Sequence, residues 1–568
     1  MKNIPYYEVR DLSNIKQLVN DSCRIYADKT AYLVKRSGSE DYQEIKFSKV
    51  KEDVDALGTA LINLGLKGKR IAVVGENRYE WAISYLAVIT GVGIIVPLDR
   101  QLPEKELANC IKRSEVSAII YSSKLEDSIN KLFTEFENVE KYICFDDIND
   151  NGNFMSLSKV IKYGKKLIED GNREFIDAKI NEEEMAEMLF TSGTTSEPKI
   201  VMLSHKNICF NIHEQCKMLK IIPEDVFLSV LPIHHTYECT CGFLTPLYRG
   251  ASVAYCEGLR HIQKNMQQAK VTVFLGVPLI FETLYRKIWE GIAKKGKTDL
   301  VKRMIKVTNA LDKIGIHLKK KVFKEIHEQL GGHIKVLIVG AAAMTPEVSK
   351  GFRDLGIHTV QGYGLSECAP IVALNRDVDY KDDAAGLPLP NEEVKIDNPN
   401  EEGVGEIIVK GEHVMLGYYK NDEENKKALK DGWFYTGDLG FIDEDGFIHI
   451  TGRKKNVIIT KNGKNIYPEE IETLLLRNDY IKECMVYGKK DKDDVKLAAE
   501  LVLDNDYIEE KFKDNPKAEE EIKQIVWEEV KKINQELVSY KHVKEINIRE
   551  NEFKKTTTMK IKRYLEVK

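Results

Sequence analysis

Short apolar runs alternate along the chain with longer stretches in which apolar residues recur at helical spacing. Residues 71–75 form a continuous apolar run that predicts a buried strand. The mostly apolar stretch 77–90 predicts a buried helix, and residues 93–98 predict the next strand. A strand, a helix and a second strand in this order form a βαβ unit, which implies a parallel sheet covered on both faces.

The same alternation continues through the first two thirds of the chain. The further predicted strands are 116–121, 141–145, 226–231, 252–255, 271–275 and 335–339. Strands separated by helical stretches at this spacing predict an α/β fold with more than one layered sheet.

One apolar stretch is also long enough to suggest a membrane span, because residues 81–98 carry no charge. Gly91, Gly93 and Pro97 interrupt it, however. A buried helix that leads into a buried strand explains the stretch better than a transmembrane helix.

Composition narrows the class of protein. A chain of 568 residues is too long for one ordinary hydrophobic core, so we expect at least two domains. The 85 basic residues are balanced by 90 acidic ones, which excludes a general attraction to nucleic acid. The ten cysteines are scattered and the first 26 residues lack a secretion signal, which favours reduced thiols and a cytoplasmic location.

Residues 189–199 contain several hydroxyl side chains and one glycine, and they form the first candidate binding site. A glycine-bearing turn can direct several backbone N–H groups at one anion, and a nearby lysine adds charge, so phosphate is the expected ligand. The alternative is a plain solvated loop. The expected phosphate-binding residues are Thr191, Ser192, Gly193, Thr194, Thr195 and Lys199, and the Thr191 hydroxyl is also expected to contact a metal ion.

Two further segments follow predicted strands. One, containing Gly340, Ala341 and Ala342, follows the strand 335–339, and a second begins at Gln361 after residues 358–360. Ligands in open α/β sheets bind beyond the carboxyl ends of the strands. We therefore expect both segments and the hydroxyl-rich run to lie on the same rim.

The second of these segments has a composition suited to a nucleotide. Tyr363 offers a flat face for adenine, and Gly362 and Gly364 allow close approach of the backbone. Glu367 is a hard oxygen ligand for Mg²⁺, and Ser366 adds a hydroxyl. Taken alone, Glu367 is equally well explained as an exposed acid.

Residues 291–298 match the P-loop pattern G-x-x-x-x-G-K-[ST]. That loop requires a buried strand before it, whereas residues 279–290 have apolar side chains at helical spacing. A basic turn between two helices is the better prediction.

His234 and His235 stand near Cys239 and Cys241, which suggests zinc. The spacing fits no standard structural zinc site, so core or pocket positions are the better interpretation.

Five motifs in order resemble the signatures of the adenylate-forming enzymes, a superfamily of acyl-CoA synthetases, firefly-type luciferases and peptide-synthetase adenylation domains. They are residues 191–199, 361–367, 431–438, 451–456 and 555–563. The chain departs from the family pattern at Ser196, Ile200 and Met559, where glycine is common. The resemblance covers nearly the whole sequence.

The resemblance implies roles for individual residues. His235 would line the acyl and ATP region, Asp438 would bind the ribose hydroxyls, and Arg453 would contact ribose or phosphate. It also implies an N-terminal domain, 1–452, followed by a small, mobile α+β domain, 453–568. Lys455 would be the hinge of that domain.

Within the mobile domain, the resemblance implies that Gly463 approaches the arm of the thiol substrate. Lys560 would be the catalytic lysine that neutralises charge during adenylation. The chain most resembles bacterial long-chain fatty acyl-CoA synthetases, which implies ATP, coenzyme A and a carboxylic acid as substrates and Mg²⁺ as cofactor. Contact with a membrane surface remains open.

Several alternatives stay open at this point. An aryl or medium-chain acid is an alternative to the long-chain fatty acid, and an acyl carrier protein is an alternative to coenzyme A as the acceptor. A P-loop ATPase and a non-catalytic nucleotide-binding protein are the alternatives from other functional classes.

Overall fold

The structure is a computed structural model of the chain, and it describes residues 4–36, 39–191, 198–460, 464–491, 494–513, 515–555 and 561–566. These residues form two compact units. The first unit holds residues 4–191, 198–393 and 410–432, and the second holds 394–409 and the described residues from 433 onward.

The described part of the first unit contains a nine-stranded sheet. In spatial order its strands are Leu387–Pro388, Ile371–Leu374, His358–Gly364, Val336–Val339, Val273–Gly276, Val226–Ser229, Ser252–Tyr255, Thr30–Val34 and Gln43–Lys46. The six from His358–Gly364 to Thr30–Val34 run parallel. The residues of Val336–Val339 are all buried, as expected for a strand with both faces covered.

A second sheet, with eight strands, contains the predicted βαβ unit. Its strands in spatial order are Gly417–Tyr418, Lys199–Ser204, Met185–Thr191, Ile94–Leu98, Arg70–Val74, Ala118–Tyr121, Lys141–Cys144 and Phe154–Ser156. Arg70–Val74 and Ile94–Leu98 pair in parallel, and helix Tyr79–Ala87 lies between them in sequence. The layered α/β architecture predicted from the apolar runs is therefore confirmed.

Some helices of the first unit begin where a side chain accepts a free N–H group of the first turn. The Asn14 side chain accepts the Gln17 N–H, and Ser204 and Asn207 form a reciprocal capping box. The helices are Ile15–Ile25, Phe47–Leu61, Tyr79–Ala87, Glu104–Ser114, Glu126–Leu132, Leu157–Glu169, His205–Met218, Thr245–Arg249, Ile262–Ala269, Pro278–Lys294, Thr298–Asp312, Lys319–Val322, Lys324–Gln329, Pro346–Asp354 and Asp422–Ala428.

The uncharged stretch 81–98 divides as predicted into a buried helical segment and the strand Ile94–Leu98. Across the described ranges, no helix combines the length and the hydrophobicity needed to cross a bilayer. The P-loop match at 291–298 joins helix Pro278–Lys294 to helix Thr298–Asp312, so the predicted helix-to-helix turn is also confirmed.

The second unit is built from small sheets and short helices. Its strands are Glu393–Asp397, Gly405–Lys410, Trp433–Ile442, Ile448–Arg453, Ile458–Ile459, Asn465–Ile466, Ile481–Asp491, Asp494–Leu503 and Glu545–Arg549. Its helices are Pro468–Leu475, Asn505–Lys511, Glu519–Asn534 and Arg563–Glu566. The predicted domain border after residue 452 falls inside strand Ile448–Arg453, and the position of a hinge stays a prediction.

Candidate active site

The predicted rim is divided between two sheets. Gly340 directly follows Val336–Val339, and the next strand of the same sheet, His358–Gly364, places Gln361 opposite Val339. Thr191 instead ends a strand of the eight-stranded sheet. The prediction of a single rim is therefore wrong. Residues 361–364 are also not a loop, because the strand continues to Gly364 by pairing with Ile371–Leu374.

A short segment around Met415 joins the two sheets at Glu367. The Met415 N–H donates to the backbone carbonyl of Glu367 at 2.8 Å, and the next N–H, of Leu416, donates to the Met202 carbonyl at 2.9 Å. The turn that carries Glu367 is thereby fixed against the strand that begins at Lys199.

A continuous path of contacts follows from this junction. The Tyr418 hydroxyl donates to Glu367 Oε1 at 2.9 Å. Lys199 Nζ lies 4.6 Å from the centroid of the Tyr418 ring, and Lys199 pairs across the strands with Thr191. Thr191 and Lys199, at the two ends of the predicted phosphate loop, are thus connected through Tyr418 to the predicted metal ligand. Ser192, Gly193, Thr194 and Thr195 lie outside the described residues.

Charge is distributed unevenly along this path. Burial and the neighbouring Glu367 carboxylate raise the pKa of Tyr418, so its hydroxyl stays protonated and remains a donor. Lys199 forms an ion pair with Glu424, and that contact lowers the pKa of the Glu424 carboxyl. Glu424 therefore contacts the same ammonium group that the sequence predicts to bind phosphate.

The turn containing His235 contacts the same site from the other side. Its neighbour Thr236 places Oγ1 3.2 Å from the Ser366 hydroxyl oxygen. A Cβ added to Gly340 would lie 2.7 Å from the ring of Tyr237, so the side chain of Tyr237 packs directly on that glycine. His235 is therefore held between the turn of Glu367 and the end of strand Val336–Val339, as a pocket residue would be.

A zinc site around the histidine pair is not supported. His234 Nε2 lies 3.8 Å from Asp99, and burial lowers the pKa of His234. Burial raises the pKa of the thiols of Cys239 and Cys241, which favours their neutral form over the thiolate that binds zinc. Among the described residues, no group of three or more metal-ligating side chains is assembled.

The segment after Val336–Val339 is held by a side chain from the neighbouring strand. Gln361 Oε1 accepts the Met344 N–H at 3.0 Å, and its Nε2 donates to the Asp382 carbonyl at 2.6 Å. Ala341 has a φ of +71°, in the left-handed region. Gln361 thus fixes the backbone of residues 340–344, including Ala342. Both ends of its side-chain amide form hydrogen bonds to the backbone.

Two glycines of the adjacent strand have a packing role that the sequence did not suggest. A Cβ on Gly364 would lie 2.1 Å from the Pro370 carbonyl oxygen, and one on Gly362 would lie 3.1 Å from Leu374 Cδ1. Tyr363, between them, pairs with Ala373. Close pairing with strand Ile371–Leu374 therefore requires glycine at these two positions. This requirement is separate from any approach of a nucleotide.

The remaining predicted site residues belong to the second unit. Asp438 and Arg453 face each other across two antiparallel strands, with Arg453 Nε 2.6 Å from Asp438 Oδ1. Burial, followed by the positive charge of Arg453, lowers the pKa of Lys455 to about 8. Gly463 and Lys560 lie outside the described residues.

Tyr418 and Glu424 were missed by the sequence reasoning. Neither stands in a recognisable motif, and Tyr418 is separated by 51 residues from the carboxylate to which it donates. The only signal was indirect. A partly buried carboxylate beside a phosphate loop needs a hydrogen-bond donor, but the sequence does not indicate which residue supplies it.

Comparisons with known proteins agree with the geometry. A family model described as AMP-binding enzyme matches residues 19–419, and one described as AMP-binding enzyme C-terminal domain matches residues 470–560. Long-chain-fatty-acid–CoA ligase 5 of Rattus norvegicus is 30% identical over 495 residues, which cover 80% of this chain and 70% of that protein.

Two other similarities extend this result. Fatty acyl-CoA synthetase B of Dictyostelium discoideum is 26% identical over 522 residues, covering 86% of this chain and 77% of that protein. The crystal structure of ATP-bound MatB from Rhodopseudomonas palustris has the same fold, with a TM-score of 0.75 at 23% identity over 98% of each chain. The chain belongs to the AMP-binding enzyme family.

Proposed function

We propose that this protein is an AMP-forming ligase that joins a fatty acid, most suitably a long-chain one, to coenzyme A. In the first step a carboxylate oxygen of the acid attacks the α-phosphorus of ATP, and the bond to pyrophosphate breaks. In the second step the sulfur of coenzyme A attacks the carbonyl carbon of the acyl-adenylate, and the bond to AMP breaks. The products are acyl-CoA and AMP.

One structural observation carries the proposal. The strand ends that flank the phosphate loop, at Thr191 and Lys199, are connected through Tyr418 to the Glu367 carboxylate. A cation, hydroxyl groups and one carboxylate in contact are the groups needed to hold a triphosphate and its metal ion. Adenylation depends mainly on positioning and on electrostatic stabilisation, which this arrangement supplies.

The donor set also fits Mg²⁺. Magnesium in nucleotide sites is bound by one or two protein oxygens together with phosphate oxygens. Glu367 and the Thr191 hydroxyl provide hard oxygen donors of that kind, and the described residues contain no larger cluster of ligands that would indicate a protein cage for a metal. When bound, the metal would neutralise charge on the phosphates.

The choice of acid and acceptor rests on relatives. The similar proteins from Rattus norvegicus and Dictyostelium discoideum are named for fatty acids and coenzyme A, and each is similar over more than three quarters of this chain. We therefore favour these substrates over an aryl acid, a medium-chain acid or an acyl carrier protein. A cytoplasmic location is part of the same proposal.

The second unit supplies the remaining roles. We propose that Asp438 binds the ribose hydroxyls, that Lys560 neutralises the α-phosphate during adenylation, and that rotation of the domain after residue 452 brings Gly463 to the site for thioester formation. The pairing of the buried Asp438 with the partly exposed Arg453 supports this assignment, since a polarised carboxylate is a suitable acceptor for a diol.

The test is pyrophosphate release with a series of carboxylic acids from acetate to palmitate and with benzoate, followed by AMP release that depends on coenzyme A. We expect release to increase with chain length. Absence of pyrophosphate with every acid would contradict the proposal.

A variant of the proposed lysine separates the two steps. Lys560→Ala is expected to lose pyrophosphate formation but still convert supplied acyl-adenylate into thioester. The nearby Lys562→Ala, whose backbone N–H donates to the Lys554 carbonyl, is the control and is expected to keep both steps. An equal loss of both steps in Lys560→Ala would show that its assigned role is wrong.

A further inference from the structure

The segment 286–324 of the first unit differs in charge from the rest of the chain. It contains 13 lysines and arginines against 3 aspartates and glutamates, whereas the whole chain has 85 basic and 90 acidic residues. It covers the end of helix Pro278–Lys294, helix Thr298–Asp312 and the turns that follow. Such a concentration of positive charge in an acidic protein marks a surface that attracts anions.

The outer face of helix Thr298–Asp312 combines this charge with exposed apolar side chains. Val301 and Thr308 are buried and attach the helix to the core. Leu300, Arg303 and Val307 are spaced for the opposite face, and Leu300 and Val307 are 53% and 59% exposed. A helix that carries apolar residues on its solvent face has an unpartnered face.

The turn after this helix continues the apolar stripe. Ile314 is 71% exposed, and Ile316 and Leu318 are also exposed. The turn is ordered, because the Ile316 N–H donates to the Leu311 carbonyl at 3.0 Å and Gly315 adopts a φ of +80°. The exposed isoleucines are therefore held at the surface by a defined helix end.

Lysines border the apolar stripe. Lys302, Lys306 and Lys313 are exposed beside it, and the exposed Lys320 and Lys321 follow in the short helix Lys319–Val322. Exposed apolar side chains surrounded by lysine match the interface of an anionic lipid bilayer, where apolar groups enter the acyl boundary and lysines meet the headgroups. Nucleic acid would use the charge but not the exposed isoleucine and valine.

We propose that this basic–apolar surface, formed by residues 298–321, binds anionic lipid bilayers. Helix Pro278–Lys294 links the surface to the candidate active site, since its Glu282 accepts a hydrogen bond from Thr345 Oγ1 at 2.6 Å, and its 17 residues span about 25 Å. The surface would therefore bring the site near the bilayer in which fatty acids dissolve. Binding to the bilayer itself does not depend on the reaction that the enzyme catalyses.

The test is flotation of the full chain, without ATP or coenzyme A, with vesicles of phosphatidylcholine alone or with added phosphatidylglycerol. We expect binding to the anionic vesicles only, and weaker binding at high salt. Lys302→Glu with Lys306→Glu is expected to weaken the partition at least about 30-fold, since each lysine near an anionic surface contributes roughly fivefold and the substitutions also reverse the charge. Equal binding to both vesicle types would overturn the proposal.

The apolar contribution is tested separately. Val307→Ser with Ile314→Ser is expected to reduce binding about tenfold or more. The matched control is Val538→Ser, which changes a valine of 53% exposure in the second unit and is expected to leave binding unchanged. If only the charge reversal weakens binding, the surface is a site for a different polyanion and the proposal fails. Circular dichroism of every variant checks folding.

Discussion

The hydroxyl of Tyr418 donates a 2.9 Å hydrogen bond to Oε1 of Glu367. Tyr418 belongs to strand Gly417–Tyr418, which pairs with strand Lys199–Ser204. The hydrogen bond connects this strand to the turn that carries Glu367, the predicted metal ligand. Because burial and Glu367 itself raise the pKa of Tyr418, the hydroxyl keeps its proton throughout the neutral range. Glu367 is therefore oriented by a donor that does not titrate.

Removal of this donor should weaken the use of magnesium–ATP. A hydrogen bond to a charged group contributes about 1.5–3 kcal/mol, so Tyr418→Phe is expected to lower kcat/KM for ATP by roughly 10–100-fold. The shape of the side chain is kept, and the melting temperature should change little. The measurement is pyrophosphate release at varied ATP and magnesium concentrations.

The neighbouring Tyr419→Phe is the matched control. Tyr419 donates at 2.8 Å to Glu115, a carboxylate outside the candidate active site. Its loss should leave kcat/KM for ATP within about twofold of the original value, because surface contacts contribute little. Similar losses in both variants would remove the special role of Tyr418.

The ion pair between Lys199 and Glu424 should compete with ATP. Glu424→Gln frees the ammonium group of Lys199 for phosphate, so the KM for ATP is expected to fall about threefold. Lys199→Met should raise it at least about tenfold, since a charge-assisted contact to phosphate is lost. Initial rates of pyrophosphate release at a series of ATP concentrations measure both effects.

Lys427→Met provides the comparison for this pair. Lys427 is exposed and also contacts Glu424, through Oε1 at 2.7 Å. Its removal leaves the pair of Lys199 and Glu424 in place, so the KM for ATP should stay constant. A rise in KM for Glu424→Gln would mean that Glu424 positions Lys199 for ATP instead of competing with it.

The parallel strands were predictable because their signal is local. Val336–Val339 and Ala118–Tyr121 are continuous apolar runs, and a strand covered on both faces requires that pattern. That Glu367 and Lys199 serve a common site stays a prediction. Lys199 begins a strand of the eight-stranded sheet, whereas Glu367 lies in a turn between two strands of the nine-stranded sheet.

The rest of the site depends on pairings between distant segments. Tyr418 reaches Glu367 only because Gly417 pairs with Met202, a register that no local pattern contains. The sequence did not predict that strand His358–Gly364 continues through residues 361–364, because glycine has a low strand propensity. Pairing with the neighbouring strand Ile371–Leu374 overrides that low propensity. Local sequence therefore indicates candidate groups, and long-range register determines how they are arranged.

Lys455 should titrate well below an ordinary lysine. Burial, and after it the charge of Arg453, lowers its pKa from 10.5 to about 8. The neutral amine is the reactive form, so the acetylation rate of Lys455 should rise with a midpoint near pH 8. The measurement is competitive labelling with acetic anhydride and mass spectrometry across pH 6–11, with exposed Lys523 as the internal reference.

The same shift has a consequence for stability. The unfolded chain binds this proton more tightly than the folded chain, so between about pH 8 and 10.5 the contribution of Lys455 to the free energy of unfolding should increase with pH. Lys455→Met should therefore gain stability at pH 7 relative to its effect at pH 10.5. A labelling midpoint of Lys455 near 10.5, the ordinary lysine value, would contradict the shift.

Glu238 should make the first unit less stable as the pH rises. Its carboxyl is buried, accepts the Ser229 hydroxyl at 2.6 Å, and has a pKa raised by burial from 4.5 to about 8. The folded state therefore holds a proton that the unfolded state releases, so stability present below pH 4.5 is lost progressively up to about pH 8.

Glu238→Gln keeps the size and the acceptor but has no proton to lose. Its melting temperature should match the parent near pH 5 and exceed it near pH 8, whereas the exposed Glu520→Gln should shift the melting temperature equally at both values. A constant difference between Glu238→Gln and the parent across this range would show that Glu238 ionises without cost in the folded protein.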